Sequence, residues 1–209
     1  MATHVSSKRE IEIKLRVADL QAILSRLSDI GAVSRGRVLE RNTLFDTPGS
    51  SFWHRGRLLR VRMQTPAPKN GSRGGPPTTI LTAKAPSSAR SSSSRRMPYK
   101  ERLETELEVK EPVPWPPLLQ ELGFRPGFRY EKYRTSFRLG DLHLDLDETP
   151  IGIFLELEGN PAAIRRSARA LGFAPKDYLR ATYWDLYVAD CRRLKRLSRN
   201  MVFKSKKSS

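Results

Sequence analysis

Short runs in which charged and aliphatic residues alternate contain the residues of this sequence best suited to chemistry. The first consists of Glu10, Glu12 and Lys14, separated by Ile11 and Ile13. A period of two places the charged side chains on one face of a β-strand and the aliphatic ones on the other. One such run is typical of any strand with a face in water, so its meaning depends on the later strands.

Later strands repeat this pattern with both signs of charge. Predicted strands cover residues 38–46, 58–63, 78–84, 99–109, 129–139, 142–146 and 153–157. The basic residues on the charged faces are Lys14, Arg60, Arg62, Lys84, Arg102, Lys132 and Arg134. The acidic ones are Glu10, Glu12, Glu104, Glu106, Asp145, Asp147, Glu156 and Glu158.

Two arrangements can hold these charged faces: an open sheet with one face in water, or the lumen of a closed barrel. About eight strands form a barrel whose interior accommodates side chains and one small ligand. Buried charges are unfavourable unless they are paired or ligated. A polyphosphate with Mg²⁺ or Mn²⁺ would satisfy both signs, because carboxylates bind hard cations and Arg and Lys bind phosphate oxygens. The pattern alone leaves both arrangements open.

Helical spacing of apolar residues predicts the remaining elements. An amphipathic helix begins after Asp19 and ends at Gly31, and a short helix covers residues 118–122. Asn160 and Pro161 begin a third helix, and a longer helix is predicted over residues 175–197. Strands in sequence followed by helices indicate an α+β fold with a largely antiparallel sheet.

Composition adds constraints on the rest of the chain, whose 209 residues suit one domain, predicted over residues 8–190. The net charge is +17, and residues 192–209 contribute eight positive charges and no carboxylate, which predicts a basic, disordered tail. Residues 64–77 and 86–98 are rich in Pro, Gly or Ser and are predicted to be flexible loops.

The single cysteine, Cys191, excludes an intrachain disulfide and a thiolate zinc cluster. The sequence has neither an apolar stretch long enough to span a membrane nor a signal peptide. We therefore expect a soluble, cytoplasmic protein without a membrane partner.

Taken in order, the motifs resemble those of the CYTH superfamily, the triphosphate tunnel metalloenzymes. They are Glu10-x-Glu12-x-Lys14, Phe45-Asp46-Thr47-Pro48, Arg60-x-Arg62, Thr82-x-Lys84, Arg102-x-Glu104-x-Glu106, Lys132-x-Arg134, Asp145-x-Asp147 and Glu156-x-Glu158. The resemblance implies a closed eight-stranded antiparallel β-barrel, the triphosphate tunnel, with flanking and C-terminal helices. The run from Phe154 to Gly159 and the helix around Tyr183 are most similar to the class IV adenylate cyclase branch.

The resemblance also implies a role for each charged residue. The predicted metal ligands are Glu10, Glu12, Asp145, Glu156 and Glu158, supported by Glu104, Glu106 and Asp147. The predicted phosphate ligands are Lys14, Arg60, Arg62, Lys84, Arg102, Lys132 and Arg134. Among these, Lys14, Lys84, Lys132 and Arg134 are the predicted catalytic residues.

These roles predict a divalent-metal-dependent enzyme acting on a triphosphate, foremost the conversion of ATP to cyclic AMP and pyrophosphate. The alternative is hydrolysis of inorganic triphosphate or thiamine triphosphate, because both reactions can use the same charged residues. A non-catalytic module that binds polyphosphate or RNA is a rival, although the carboxylates would repel a nucleic acid strand. A specific nucleic acid partner is therefore not expected, and the sequence is compatible with a homodimer. Phe52 and Trp53 either stack on the organic part of a substrate or pack on the surface.

Overall fold

A computed structural model of the chain describes residues 4–68, 75–86, 99–109, 115–196 and 200–204. Within them the chain forms a closed barrel with the strand order β1-β5-β4-β3-β2-β6-β7-β8, in which every neighbouring pair is antiparallel. The strands are β1 (His4–Val17), β2 (Val33–Asp46), β3 (Leu58–Pro66), β4 (Thr78–Pro86), β5 (Lys100–Val109), β6 (Arg125–Leu139), β7 (Leu142–Thr149) and β8 (Gly152–Glu158). The predicted α+β fold and the closed barrel are confirmed.

Helices cover parts of the outside of this barrel. They are α1 (Leu20–Asp29), α2 (Ser51–His54), α3 (Trp115–Glu121), α4 (Pro161–Ala170) and α5 (Tyr183–Arg193), with a 3₁₀ turn at Pro175–Asp177. The predicted N-caps are confirmed, because the Asp19 carboxylate accepts from the Gln21 and Ala22 amides and Asn160 accepts from Ala162. None of the helices in the described residues is long and apolar enough to cross a membrane.

The strand register directs the charged faces inward. Residues paired across antiparallel strands lie on the same face of the sheet, and Lys14 pairs with Glu156 while Lys84 pairs with Glu104. The alternating aliphatic residues consequently face outward. Of the two arrangements compatible with the sequence, the charged lumen is the one that the chain adopts.

The main hydrophobic core therefore lies outside the barrel, between its wall and the helices. Leu15, Leu144 and Leu155 on β1, β7 and β8 pack with Leu27 of α1 and Ile164 of α4. Burial of each such side chain contributes about 1.5–3 kcal/mol. This core holds the wall closed without requiring an apolar lumen.

The C-terminal helices differ from the single helix predicted over residues 175–197. Leu179 lies in an extended segment that pairs with Lys14, and its N–H donates to the Lys14 carbonyl over 2.8 Å. The helix α5 begins only after Thr182, whose side chain forms a capping box with Asp185. An extended segment that completes a β-bridge cannot also be helical, which explains the error.

The structure also differs from the predicted disordered tail over residues 192–209 where it describes that segment. The Met201 N–H donates to the Arg129 carbonyl over 2.9 Å, and the Glu131 N–H donates to the Met201 carbonyl over 2.8 Å. The Met201 side chain is 1% exposed. Met201 completes hydrogen bonds at a part of β6 that β7 does not reach. Residues 197–199 and 205–209 lie outside the described residues.

The predicted loops at residues 64–77 and 86–98 overlap the ends of strands, and parts of them lie outside the described residues. The strand β3 continues to Pro66, and β4 runs from Thr78 to Pro86. Residues 69–74 and 87–98 lie outside the described residues, so flexibility there stays a prediction.

We predict that Met201→Ala lowers the free energy of unfolding by about 2–5 kcal/mol, because it leaves a cavity between α5 and β6. The neighbouring Val202 is 43% exposed, so Val202→Ala serves as the matched control and should change stability by less than about 0.5 kcal/mol. Urea unfolding followed by circular dichroism measures both values. Equal midpoints for the two variants would show that the C-terminal segment does not stabilise the barrel.

Candidate functional site

The barrel encloses a cavity of about 1830 Å³. Residues of all eight strands line it, joined by residues around α2 and by the residues at the start of α5. Every residue predicted to bind metal or phosphate lines this cavity, and of the supporting residues only Asp147 lies behind its surface, where it is fully buried. The structure thus brings the predicted residues together, while their roles as ligands stay predictions.

One group of ion pairs joins β1, β4 and β5. The Lys84 ammonium lies 2.6 Å from a Glu10 carboxylate oxygen and 2.9 Å from Glu104. Beside it, Lys100 donates to Glu12 over 2.8 Å. Each of these carboxylates therefore already has a cation as its partner.

A second group joins β1, β6, β7 and β8 around Arg134. Its guanidinium contacts Asp145 at 2.6 Å, Asp147 at 2.6 Å and Glu156 at 2.5 Å. Glu156 also lies 3.0 Å from Lys14. Arg134 is fixed by three carboxylates, which orients its planar group before any ligand arrives.

A third group, on β2, β3 and β6, centres on Glu40, which is 0% exposed. Glu40 lies 3.4 Å from Arg62 and 3.5 Å from Lys132, and it accepts a hydrogen bond from Gln64 over 2.8 Å. Burial would raise the pKa of this carboxyl, but the surrounding cations Arg62, Lys132 and Arg134 hold it well below its ordinary value. Glu40 is therefore a buried carboxylate among predicted phosphate ligands.

Arg60 connects the third group to β4 and β5. Its guanidinium donates to Thr82 over 3.1 Å, to Glu106 over 3.3 Å and to the Tyr130 hydroxyl over 3.4 Å. Burial alone would favour an uncharged tyrosine, but the cation of Arg60 and its neighbours lower the pKa of Tyr130. Arg60 is thus held on three sides within the wall.

The helix α5 contributes Tyr183 to one part of the lumen. Its hydroxyl donates to Asp147 over 2.6 Å, and its ring lies 4.5 Å from the Lys14 ammonium and 5.0 Å from that of Lys132. A cation over an aromatic face is attracted by the ring's negative face. Tyr183 therefore positions two predicted phosphate-binding lysines.

Glu10 and Glu12 share a face of β1, yet their pKa values shift in opposite directions. Burial, together with the nearby Glu12 and Glu104, raises the pKa of Glu10 to about 7 against the opposing effect of Lys84. Burial would also raise the pKa of Glu12, but Lys100, Lys14 and Lys84 together lower it to about 2. Glu10 is the carboxylate whose negative charge is less well compensated.

The acidic and basic residues in or directly behind the lumen are closely matched. Apart from Arg35, Arg57, Arg138, Arg180, Asp46, Asp141 and Asp185, which also line the cavity, nine basic residues face nine acidic ones in the described part of the chain. The basic residues are Lys8, Lys14, Arg60, Arg62, Lys84, Lys100, Arg102, Lys132 and Arg134, and the acidic residues are Glu10, Glu12, Glu40, Glu104, Glu106, Asp145, Asp147, Glu156 and Glu158. A triphosphate that binds with divalent metal adds less uncompensated negative charge to this region than the free polyanion does.

The carboxylates fit a hard divalent cation in donor type, since all are oxygen donors. The repulsion that Glu12 and Glu104 exert on Glu10 is the kind of contact that a cation would relieve. Among the described residues, no three acidic, His or Cys side chains are already arranged as a complete set of metal ligands. Binding a metal would therefore require these carboxylates to leave some of their present basic partners.

Aromatic and aliphatic residues line one mouth of the cavity, including Phe128, Trp184, Leu44 and Trp53. The Phe128 and Trp184 rings meet edge to face with centroids 4.9 Å apart. Trp53 is 51% exposed and borders the cavity. Phe52, by contrast, packs on Phe124 at 5.1 Å, so the packing interpretation holds for Phe52.

Several residues of the site were missed in the sequence. Glu40 and Asn42 alternate on β2, and Lys8 and Lys100 extend the alternating runs of β1 and β5, so the same period-two pattern could have identified them. Tyr183 carries no such signal, because it belongs to a helix whose position depends on the tertiary fold.

Comparisons with known proteins agree with this architecture. The family model of the CYTH domain matches residues 8–183, and the chain therefore belongs to the CYTH family. Proteins of this superfamily are in general metalloenzymes that bind triphosphates. The comparison with curated proteins finds no match.

Solved structures share the fold at low identity. A protein of Pyrococcus horikoshii has a TM-score of 0.68 and 23% identity, over 87% of this chain and 99% of that one. A candidate adenylate cyclase from Vibrio parahaemolyticus has a TM-score of 0.65 and 18% identity, over 88% of this chain and 99% of that one. A candidate adenylyl cyclase from Hippeastrum has a TM-score of 0.54 and 18% identity, over 90% of this chain and 97% of that one. That protein is described as having a dominant triphosphatase activity.

The raised pKa of Glu10 predicts a pH-dependent loss of stability. A carboxyl whose pKa rises on folding stabilises the fold fully below its unfolded pKa, near 4.5, and this contribution is lost as the pH rises through about 7. Between about pH 5 and about pH 8, the wild type should therefore lose about 1–3 kcal/mol more of its unfolding free energy than Glu10→Gln. Urea titrations in buffer containing a chelator measure this difference. The same pH dependence in both proteins would contradict the shift.

Proposed function

We propose that this chain is a divalent-metal-dependent enzyme that acts on a triphosphate inside the barrel. The observation that carries the proposal is the closed lumen itself, in which buried cations and carboxylates meet around one large cavity. Ion pairs that merely stabilise a fold do not require such a cavity. Cations that exchange carboxylate partners for phosphate oxygens do.

The basic residues would bind and orient the phosphates. Lys14 and Lys132 are buried and held by Tyr183, and Arg134 is held by its three carboxylates. Fixed charges in a region of low dielectric stabilise developing charge more strongly than mobile charges in water. Lys14, Lys84, Lys132 and Arg134 are accordingly our candidates for catalytic residues, and Arg60, Arg62 and Arg102 are the further phosphate ligands.

The carboxylates would hold the metal. Glu10, Glu12, Glu156, Glu158 and Asp145 are the candidate ligands, and all line the cavity. A bound Mg²⁺ or Mn²⁺ neutralises phosphate oxygens and makes the phosphorus more susceptible to attack. Glu104, Glu106 and Asp147 would support the site by fixing Lys84, Arg60 and Arg134.

Cyclisation of ATP to cyclic AMP and pyrophosphate is the first candidate reaction. The aromatic mouth supports it, because Trp53, Phe128 and Trp184 offer an apolar surface to the organic part of a nucleotide. Hydrolysis of inorganic triphosphate or thiamine triphosphate is the second candidate. It would need the charged lumen to hold only the phosphates, and the similar protein from Hippeastrum is described as having a dominant triphosphatase activity. The two differ in whether a ribose hydroxyl or water attacks.

The experiment that tests the proposal is incubation with ATP, inorganic triphosphate and thiamine triphosphate, each with Mg²⁺ or Mn²⁺, followed by identification of the products. Cyclic AMP with pyrophosphate identifies a cyclase, and orthophosphate identifies a triphosphatase. No product with any of the three substrates, together with salt-sensitive binding of RNA or polyphosphate, would identify a binding module instead.

We predict that Glu12→Gln lowers metal-dependent turnover about 100-fold or more, because it removes one candidate metal ligand. Glu148→Gln is the matched control, since Glu148 lies on β7 outside the cavity and pairs with Arg37. That variant should retain its rate within about twofold, the range expected of a surface substitution. Circular dichroism confirms folding of both proteins. Full turnover in Glu12→Gln would contradict the metal assignment.

A further inference from the structure

Two buried hydrogen-bond donors at the cavity have no acceptor among the described residues. They are the amide nitrogen Nδ2 of Asn42 on β2 and the Nε of Arg60 on β3. Arg60 lines the cavity, whereas Asn42 does not line it but is paired with two residues that do, Arg62 and Tyr130. Asn42 is only 2% exposed and Arg60 6% exposed. Buried polar groups are nearly always paired, so two unpaired donors in one wall indicate an acceptor from outside the chain.

The orientation of the Asn42 amide is fixed by its neighbour. Its oxygen Oδ1 accepts a hydrogen bond from Arg62 Nε over 3.2 Å. A guanidinium can only donate, so the atom facing Arg62 must be the oxygen. The amide nitrogen therefore points away from Arg62.

Asn42 lies next to Arg62 and is connected to Arg60 through Tyr130. Asn42 is paired across the sheet with Arg62 on one side and with Tyr130 on the other. The Tyr130 hydroxyl in turn contacts Arg60 over 3.4 Å. Glu106 accepts from Thr82, and Glu40 accepts from Gln64 through Oε1. The other Glu40 oxygen, Oε2, has no hydrogen-bond partner among the described residues, but it lies 3.5 Å from the Lys132 ammonium. An incoming acceptor between two arginines binds more strongly if it carries negative charge.

We propose that Asn42 is a substrate-binding residue whose amide nitrogen donates to a phosphate oxygen of the triphosphate, with Arg60 Nε as a second donor. This inference rests on the proposed function. The amide supplies direction without charge, so it fixes where one phosphate lies along the lumen while the arginines supply the attraction. Asn42 would then make an uncharged contact to the phosphate between charged residues that the sequence motifs predict to bind phosphate. The motifs themselves do not include Asn42.

The test is the binding of two cleavage-resistant probes with Mn²⁺, measured by calorimetry. One probe is diimidotriphosphate, and the other is an ATP analogue with methylene groups in place of both bridging oxygens. Asn42→Leu should weaken the binding of both about tenfold, the value of one hydrogen bond to a charged group. Thr43→Val, on the outward face of the same strand, is the control and should leave binding unchanged.

A double-mutant cycle separates a direct contact from an effect through Arg62. In the Arg62→Gln background, Asn42→Leu should still weaken binding about tenfold if the amide contacts the phosphate. If the leucine variant does not fold, Asn42→Asp replaces it, because the aspartate keeps an acceptor for Arg62 and removes the donor. The aspartate should weaken binding by at least as much.

Each other result overturns the inference in a distinct way. Unchanged binding in Asn42→Leu means that water alone satisfies the amide, and a loss that disappears in Arg62→Gln means that Asn42 acts only through the arginine. A loss confined to the ATP analogue assigns the contact to the adenosine rather than to a phosphate. If the wild type binds neither probe, the proposed function fails as well.

Discussion

The cost of burying charge governs this structure. Placing so many acidic and basic side chains inside a closed barrel is unfavourable unless each has an opposite charge within reach. The register provides this by pairing Lys14 with Glu156 and Lys84 with Glu104 across neighbouring strands. The apolar residues that stabilise the fold lie on the outside, under α1, α4 and α5. The residues that stabilise the fold and the charged residues of the candidate site thus lie on opposite faces of the same strands.

A lumen balanced in this way can exchange partners. In the proposed function, metal ions would replace lysines beside Glu10 and Glu12, and phosphate oxygens would replace carboxylates beside those lysines, so the number of satisfied charges would be kept. The exchange need not be equal everywhere. Arg134 contacts three carboxylates and is held firmly in place. Glu10, by contrast, has a pKa of about 7, so its charged form is less stable in the folded protein than that of an ordinary glutamate. Rearrangement is therefore expected to begin near Glu10.

The period-two pattern predicted which charged side chains share a face, because a strand leaves only two directions for a side chain, and the resemblance to the CYTH superfamily predicted that these faces close around a lumen. Once Glu10 and Glu12 share a face, the other strands must either meet them across a lumen or face water. The same pattern extends to Glu40 and Asn42, which lie outside the motifs identified in the sequence. Glu40 is a buried carboxylate within a predicted cation cluster, and its environment depends on three strands at once.

Other features could not be predicted because they depend on long-range contacts. Tyr183 reaches Asp147 only because the extended segment at Leu179 pairs with β1 and delays the start of α5. Met201 is apolar but stands in a basic stretch whose composition indicates disorder. Met201 is buried because it pairs with a part of β6 that β7 leaves unpaired. Which part of β6 is left unpaired can be known only from the assembled barrel.

The central claim, that divalent metal and triphosphate bind together in the lumen, is tested most directly by measuring Mn²⁺ affinity with and without diimidotriphosphate. After correction for the complex that the two form in solution, we expect each to raise the affinity of the protein for the other by the same factor, about tenfold or more. Affinities that are independent of one another would contradict the claim. Tight binding of the free anion without metal would contradict it as well.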